Sequence, residues 1–396
     1  MSDVSDTFAG RLNRRTLLQL FGGIAVAGTR GFRTNAQARQ RIVIAGGGML
    51  GANIAYQLAR RGAAVTLLEK AKPATGATAN SFAWINAKKQ PHPYFVLSLM
   101  GIQAWRELHA DIGADLPVRW GGSLEWTSAA DRAAREAETT RRFQTWGYPV
   151  RFVDEKRLRE LEPNVVFGPV SGATHAEIEG AADPVGATEV ILARAERAGA
   201  RVVYPSEVVS LDRPSGRLRA VKTTQGDVEA DVLVIACGTD TPKVAALADF
   251  RVQLTRSPGI LFHTPPQPMV VDRVLLSPIG NIKQKPDGRI VTGLDFGPSP
   301  VEDATREKGE AFLKKMAVVL PSLTETSVEK TTLGFRPLPK DSFPIVGFPG
   351  AAPDIYLTVM HSGVTLGPLI GRLAAMEILD GVRVDPLAPY RLERFK

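Results

Sequence analysis

The sequence predicts an α/β chain in which a doubly wound nucleotide-binding domain is interleaved with a smaller α+β domain. Three observations carry that expectation. A β-branched run, Ile42-Val43-Ile44, enters a glycine-spaced turn and then a helical pattern. A second apolar strand pattern, Asp231 to Cys237, runs into the glycine turn at Gly238. Between and after these, residues 89–150 and 246–330 break the alternation of strand and helix with many prolines and short apolar runs, among them Leu261 to Thr264, which reads as a short strand.

At 396 residues and 44% hydrophobic, the chain has the apolar material for two adjoining domains. Its formal charge is +8, but the first 38 residues hold five Arg and two Asp, leaving 44 basic against 39 acidic residues in the rest. No Lys/Arg block with interleaved aromatics occurs, so nucleic acid is set aside and the mild excess favours anionic ligands. Cys237 is the only cysteine, which excludes an internal disulfide and any cysteine-based zinc or iron–sulfur site. Redox chemistry in such a chain needs a bound organic cofactor.

Residues 1–38 read as an address. Arg14-Arg15 precedes an apolar run from Leu17 to Ala27, and Ala36-Gln37-Ala38 places small residues where a signal peptidase reads. The run falls short of the ~20 residues that span a bilayer, so no stable membrane span is expected. The paired arginines resemble a twin-arginine signal, with Arg30 and Arg33 on the far side, and this route exports folded proteins to the periplasm.

From Arg41 the chain reads RIVIAGGGMLGANIAYQLARRGAAVTLLEK. Gly46, Gly48 and Gly51 follow the strand directly, and Ala55, Leu58 and Ala59 share one face of the next helix. Gly62 ends that helix, and Val65 to Leu68 is a second strand closed by Glu69 and Lys70. Gly46 makes the tight turn, Gly48 lets the backbone approach a pyrophosphate, and Gly51 lets helix and strand pack closely. The diphosphate then lies at the helix N-terminus beside Met49 and Leu50, on roughly half a unit of positive charge. Glu69 suits ribose hydroxyls and repels a 2′-phosphate. This Rossmann-like unit announces a dinucleotide without separating FAD from NAD.

Later segments make the separation by resemblance. Gly76-Ala77-Thr78-Ala79-Asn80-Ser81 is a hydroxyl-rich turn after the second strand; Gly334-Phe335-Arg336-Pro337 leads through Asp341 to Gly347; and His361-Ser362-Gly363-Val364-Thr365-Leu366-Gly367-Pro368 follows. Together with the N-terminal unit these resemble the D-amino-acid oxidase superfamily, over essentially all of residues 40–396. The resemblance implies non-covalent FAD, held by Gly46, Gly48, Met49, Leu50, Gly51, Glu69, Lys70, Thr78, Asn80, Ser81, Val208, Cys237, Gly238, Gly363, Val364, Thr365 and Leu366. It implies FAD-binding segments at 39–88, 151–245 and 331–396, and a substrate domain with an antiparallel sheet at 89–150 and 246–330.

The implied reaction is oxidation of a small amino acid or amine at its CH–NH bond, with hydride passing to flavin N5 and the imine hydrolysing in water. Arg336 is the candidate clamp for a substrate carboxylate, since a guanidinium fork binds both oxygens at once; a structural salt bridge, with Asp341 as one candidate partner, is the alternative. His361 is expected beside the flavin but not as a base. Trp84, Asn86 and Lys283 are candidates to reach the ring; sarcosine oxidase has an oxygen-activating lysine near flavin N5, for which Lys283 and Lys285 are both candidates here. Pro368 suits the first turn of a helix closed by Gly381, whose N-terminus would stabilise negative charge on the reduced ring. His361 to Gly363 is too short for the second arginine of glycine oxidases, so an amine, an N-methyl amino acid or a cyclic imino acid stays open. Electrons pass to oxygen, a quinone or a redox protein. No metal-ligand cluster is needed. Two alternatives remain: a noncatalytic FAD-binding assembly factor of the same fold, against which Arg336 argues, and an NAD-dependent dehydrogenase.

Overall fold

A strand, a helix and a second strand come first: β1 (Arg41–Ala45), α1 (Met49–Arg60) and β2 (Ala64–Leu68). The structure, a computed structural model, describes residues 39–88, 91–294, 299–350 and 352–395. The expected signal, residues 1–38, lies outside the described residues. Residues 39–396 form one compact unit.

β1 and β2 are central in a six-stranded sheet, ordered Ile345–Gly347, Ile355–Val359, Val232–Ile235, β1, β2, Arg201–Val203. All of its neighbours pair in parallel except Ile345–Gly347. Parallel strands are covered on both faces, which is why these segments are near-continuous runs of Val, Ile and Leu. Ile42, Ile44, Leu233, Ile235, Ile355 and Leu357 are all fully buried. Each such side chain contributes ~1.5–3 kcal/mol of burial. One face packs against α1 and the helices Pro184–Arg197 and Gly363–Asp380, through Ile54, Leu58, Ile191 and Ile370. The other face meets an antiparallel meander, Val208–Asp212, Ala220–Thr223 and Gly226–Glu229, through Val208 and Val221.

A second sheet has eight strands, ordered Lys330–Pro339, Leu254–Pro266, Arg289–Gly293, Asn281–Gln284, Val274–Leu276, Ser123–Thr127, Gly172–Ala176, Val150–Phe152. It is antiparallel apart from the pairing of Val274–Leu276 with Ser123–Thr127. Along each strand one set of side chains, such as Leu124, Trp126, Leu275, Ile282 and Ile290, packs into a core with Leu313 and Met316 of the helix Arg306–Met316. The alternate set, including Ser123, Glu125, Lys283 and Arg336, faces away from that core, as the period of two requires.

Three expectations about layout change. Val150–Phe152, Gly172–Ala176 and Lys330–Pro339 are strands of the eight-stranded sheet, so that layer extends past the boundaries read at 151 and 331. Leu261 to Thr264 is one part of a 13-residue strand, Leu254–Pro266, drawn out by ten consecutive pairings with the strand holding Arg336. Neither fact is local; each depends on a partner far away in sequence. The third concerns Pro368, which lies inside the helix Gly363–Asp380 and not in its first turn. Helical geometry asks the residue at 368 to donate to the carbonyl of Val364, and proline has no donor. The indole N–H of Trp105 fills the gap, donating to Val364 O at 2.8 Å. No helix among the described residues is long and apolar enough to cross a membrane.

Candidate cofactor and substrate site

The carboxyl ends of β1, β2 and Val232–Ile235 open onto one cavity of about 360 Å³, the place where parallel α/β sheets bind ligands. Its middle is glycine-lined. Gly46 has φ +109°, and a Cβ there would stand 2.4 Å from Ala236 O. A Cβ on Gly51 would stand 1.9 Å from Gly46 O, so helix and turn touch backbone to backbone. α1 begins after Gly48, which has no side chain to cap it. Thr78 Oγ1 accepts from Met49 N at 3.1 Å, and Gly48, Met49 and Leu50 all line the wall.

Glu69 closes one side. Its carboxylate accepts from Gly47 N at 2.8 Å and Ala71 N at 3.0 Å, tying the end of β2 to the glycine turn. Beyond it lie Ser206, Glu207 and Val208. Two ion pairs reach across this mouth: Lys70 with Asp240, and Lys243 with Glu207 at 2.7 Å. Cys237 Sγ donates to Ala45 O at 3.3 Å, and burial pushes the thiol up to about 12, which leaves it un-ionised at neutral pH. Gly238 lines the cavity beside it.

The opposite end is walled by Ser81, Pro337, His361, Gly363 and Val364. Tyr94 donates to Ser362 Oγ at 2.8 Å, fixing the residue that precedes the helix Gly363–Asp380; burial raises Tyr94 to about 12. The helix thus presents its N-terminal turn to the cavity.

The cavity therefore gathers Gly46, Gly48, Met49, Leu50, Glu69, Lys70, Thr78, Ser81, Val208, Cys237, Gly238, His361, Gly363 and Val364. Other sequence candidates stand behind its wall. Gly51 and Leu366 serve packing. Asn80 packs against the backbone of Gly334, and Thr365 Oγ1 bonds to Trp84 O at 3.3 Å. Asn86 donates from Nδ2 to Trp84 O at 3.3 Å.

Arg336 follows Phe335 and precedes the cavity residue Pro337, on a strand paired Ser257 to Arg336. Its Nη1 donates to Pro258 O at 2.7 Å and Ser257 Oγ at 3.3 Å. Gly259 leaves room for the guanidinium, since a Cβ there would meet Nη2 at 2.6 Å. The alternative partner Asp341 is instead engaged by Arg394, at 2.7 and 3.0 Å. Lys283 is buried, donates to Ala182 O at 2.8 Å and lies 5.6 Å over the Phe82 ring. Burial lowers its pKa to about 7. Lys285 is committed to Asp183 at 3.2 Å.

Two contributors escape sequence reasoning. Trp105 reads as core, yet its indole completes the helix that ends at the cavity. Ser206 belongs to no motif; its hydroxyl is buried in the cavity wall with no partner among the described residues. A buried hydroxyl without a partner wants a polar ligand atom. Together with the uncapped α1 terminus and the glycine cradle, it shows that the residues fit a dinucleotide carrying an adenosine beyond Glu69.

Comparison with known proteins agrees. A subunit of opine oxidase from Agrobacterium tumefaciens (strain Ach5) is 26% identical over 369 residues, covering 89% of this chain and 97% of that protein. Glycine oxidase of Geobacillus kaustophilus is 23% identical, covering 90% and 97%. Among solved structures, glycine oxidase from G. kaustophilus superposes with a TM-score of 0.81 at 21% identity, covering 89% of this chain and 98% of that one. L-proline dehydrogenase from P. horikoshii gives 0.79 at 22% identity, covering 90% and 99%. A family profile described as FAD dependent oxidoreductase (DAO) matches residues 41–376, and the chain belongs to that family of FAD-dependent enzymes.

Proposed function

We propose that this enzyme oxidises a small amino acid or secondary amine carrying a carboxylate, with Arg336 as the carboxylate anchor. The observation that carries the reading is the placement of Arg336. It sits next to a residue of the cavity's far end, on a sheet face turned away from its own core, with its guanidinium half-buried. Its Nη1 bonds to a backbone carbonyl and a hydroxyl, and a guanidinium fork held there suits the two oxygens of a carboxylate. The relatives support the same substrate class by name: glycine, opines, L-proline and iminodiacetate are all amino or imino acids.

When bound, FAD supplies a two-electron acceptor for hydride from the amine's α-carbon, and the resulting imine hydrolyses in water. The chain's own residues do the rest. The glycine turn and the N-terminus of α1 would hold the diphosphate, while Glu69 would take the ribose hydroxyls. The first turn of the helix Gly363–Asp380 sets positive potential at the ring end. Lys283, with a pKa near neutral, sits behind Phe82 as a group able to change charge during turnover.

Arg14, Arg15 and the apolar run after them support export of the folded enzyme by a twin-arginine route; a reporter fused to residues 1–45 should reach the periplasm. Oxygen, a quinone or a redox protein then takes the electrons. The substrate class is tested by an anaerobic flavin-reduction screen over D- and L-amino acids, N-methyl amino acids and cyclic imino acids. Bleaching by at least one carboxylate-bearing amine is expected; bleaching only by amines without a carboxylate removes Arg336 from its role, and no bleaching at all favours a noncatalytic flavoprotein.

A further inference from the structure

A buried carboxylate that the reaction does not use governs the segment leaving the ring end of the cavity. Residues 80–88 run from Gly334 to Glu125 of the eight-stranded sheet, and between those contacts Trp84–Ile85 pairs antiparallel with Gly180–Ala182 in a separate three-stranded sheet completed by Val118–Arg119. Asn80 packs on Gly334, Phe82 lies under Lys283, Trp84 bonds to Glu179, and Lys88 pairs with Glu125 at 2.8 Å. The segment leaves the cavity wall at Ser81, and its middle residue Ala83 has φ +55°. A non-glycine residue there is strained and persists only where its surroundings over-determine it.

Those surroundings converge on Glu179, which is fully buried. Its carboxylate accepts from Trp84 Nε1 at 2.7 Å, from Ser123 Oγ at 2.5 Å and from the Tyr148 hydroxyl. Tyr148 OH in turn accepts from Ala87 N at 3.3 Å. One carboxylate thus pins both ends of the 84–87 stretch. Trp84 O, between them, receives the hydroxyl of Thr365 from the first turn of the helix whose Gly363 and Val364 line the cavity. Ala182 N completes the clamp by donating to Ala83 O at 3.1 Å. A carboxylate removed from water has no stability reason to be preferred over an apolar residue of similar volume. It does fix one geometry.

We propose that Glu179 is a positioning residue for the flavin ring: through Trp84 it holds the strained residue Ala83, whose N–H donates to the hydroxyl of the cavity residue Ser81 at 3.0 Å. The inference rests on the FAD site described above and is independent of which amine is oxidised.

The test compares Glu179→Leu, Glu179→Gln and Trp84→Phe with the wild-type holoenzyme. FAD affinity is read by titrating apoprotein, the ring environment from the shape of the visible flavin band, and fold stability from urea unfolding. Glu179→Leu should weaken FAD about tenfold and shift the flavin band, because a small displacement at a positioned group costs one to two orders of magnitude. Trp84→Phe should show the same band shift, and the double variant should be no worse than Glu179→Leu, the mark of two residues acting as one unit. Glu179→Gln, which keeps an acceptor for the indole, should restore most of the wild-type band. Should Glu179→Leu fail to fold, the Trp84→Phe and Glu179→Gln spectra decide the matter. Wild-type flavin spectra and affinities in all soluble variants, with only urea midpoints lowered, would overturn the proposal and leave Glu179 a purely structural carboxylate. A wild type that binds FAD yet is bleached by no amine refutes the amine reading alone, since spectrum and affinity still report on Glu179.

Discussion

The two ends of the cavity are built by different means. The diphosphate end is made of backbone: the Gly46 turn, the Gly51 contact, the start of α1 and the Glu69 carboxylate that ties Gly47 to β2, all within one stretch of chain. The ring end is made of side chains and loops from remote segments, Ser81, Pro337, His361 and Gly363. Backbone construction leaves no room for adjustment at a few positions and is indifferent at the rest. Distributed construction spreads the same dependence over many partners, so single changes there should be graded.

The sharpest break in that contrast is Gly51→Ala. Its new Cβ would stand 1.9 Å from Gly46 O, so turn and helix must separate. Strain of a few kcal/mol at this contact corresponds to FAD affinity falling about a hundredfold. FAD titration of the apoprotein, with far-ultraviolet circular dichroism to show that the fold survives, measures it. Affinity within a few-fold of wild type would mean that the diphosphate end yields as readily as the ring end.

Arg336→Lys acts on the substrate side of the ring end. A lysine reaches the anion as a point charge and loses the fork, at roughly 1.5–3 kcal/mol per charge-assisted hydrogen bond. The apparent KM for the best carboxylate-bearing substrate should rise about tenfold or more, while FAD affinity stays unchanged. An unaltered KM in steady-state kinetics would remove the clamp.

Trp105→Phe probes the scaffold of the ring end. It keeps the aromatic bulk but leaves Val364 O with neither its indole donor nor a helical one, because Pro368 cannot supply it. Leaving a buried carbonyl unsatisfied costs ~1–3 kcal/mol. Urea unfolding should show that loss; the paired change Trp105→Phe with Pro368→Ala should recover part of it, since alanine in place of the proline brings back the missing N–H.

The contrast also explains which parts of the site were legible in the sequence. Gly46, Gly48, Gly51 and Glu69 announce themselves because their spacing and their contacts lie in the same short stretch. Arg336 was legible only through resemblance, since nothing around it in sequence shows that Pro258 and Gly259 form its bed. Trp105 and Glu179 left no local signal at all. A tryptophan in an apolar helix reads as core, and a glutamate before a glycine reads as surface; their roles exist only once residues 56 and 259 positions away arrive. The strands at Val150–Phe152 and Gly172–Ala176 went to the other sheet for the same reason. Pairing partner and register are properties of the assembled sheet.

The smallest effect expected concerns Lys283, which sets the ring end apart by burying a cation behind Phe82. Burial holds its pKa at about 7, below the ordinary lysine value of 10.5. Between those two values the unfolded chain binds more protons at this site than the folded one, so stability rises with pH through that window; below it both states are protonated and the dependence vanishes. At pH near 7 the difference is about half a proton, which amounts to ~0.7 kcal/mol per pH unit. Lys283→Met removes that slope. The comparison of interest is therefore the pH series of urea midpoints, wild type against variant, rather than either midpoint alone. Parallel curves would show that the amine titrates as an ordinary lysine and cannot change charge during turnover, which withdraws it from the ring-end chemistry while leaving the Arg336 anchor intact.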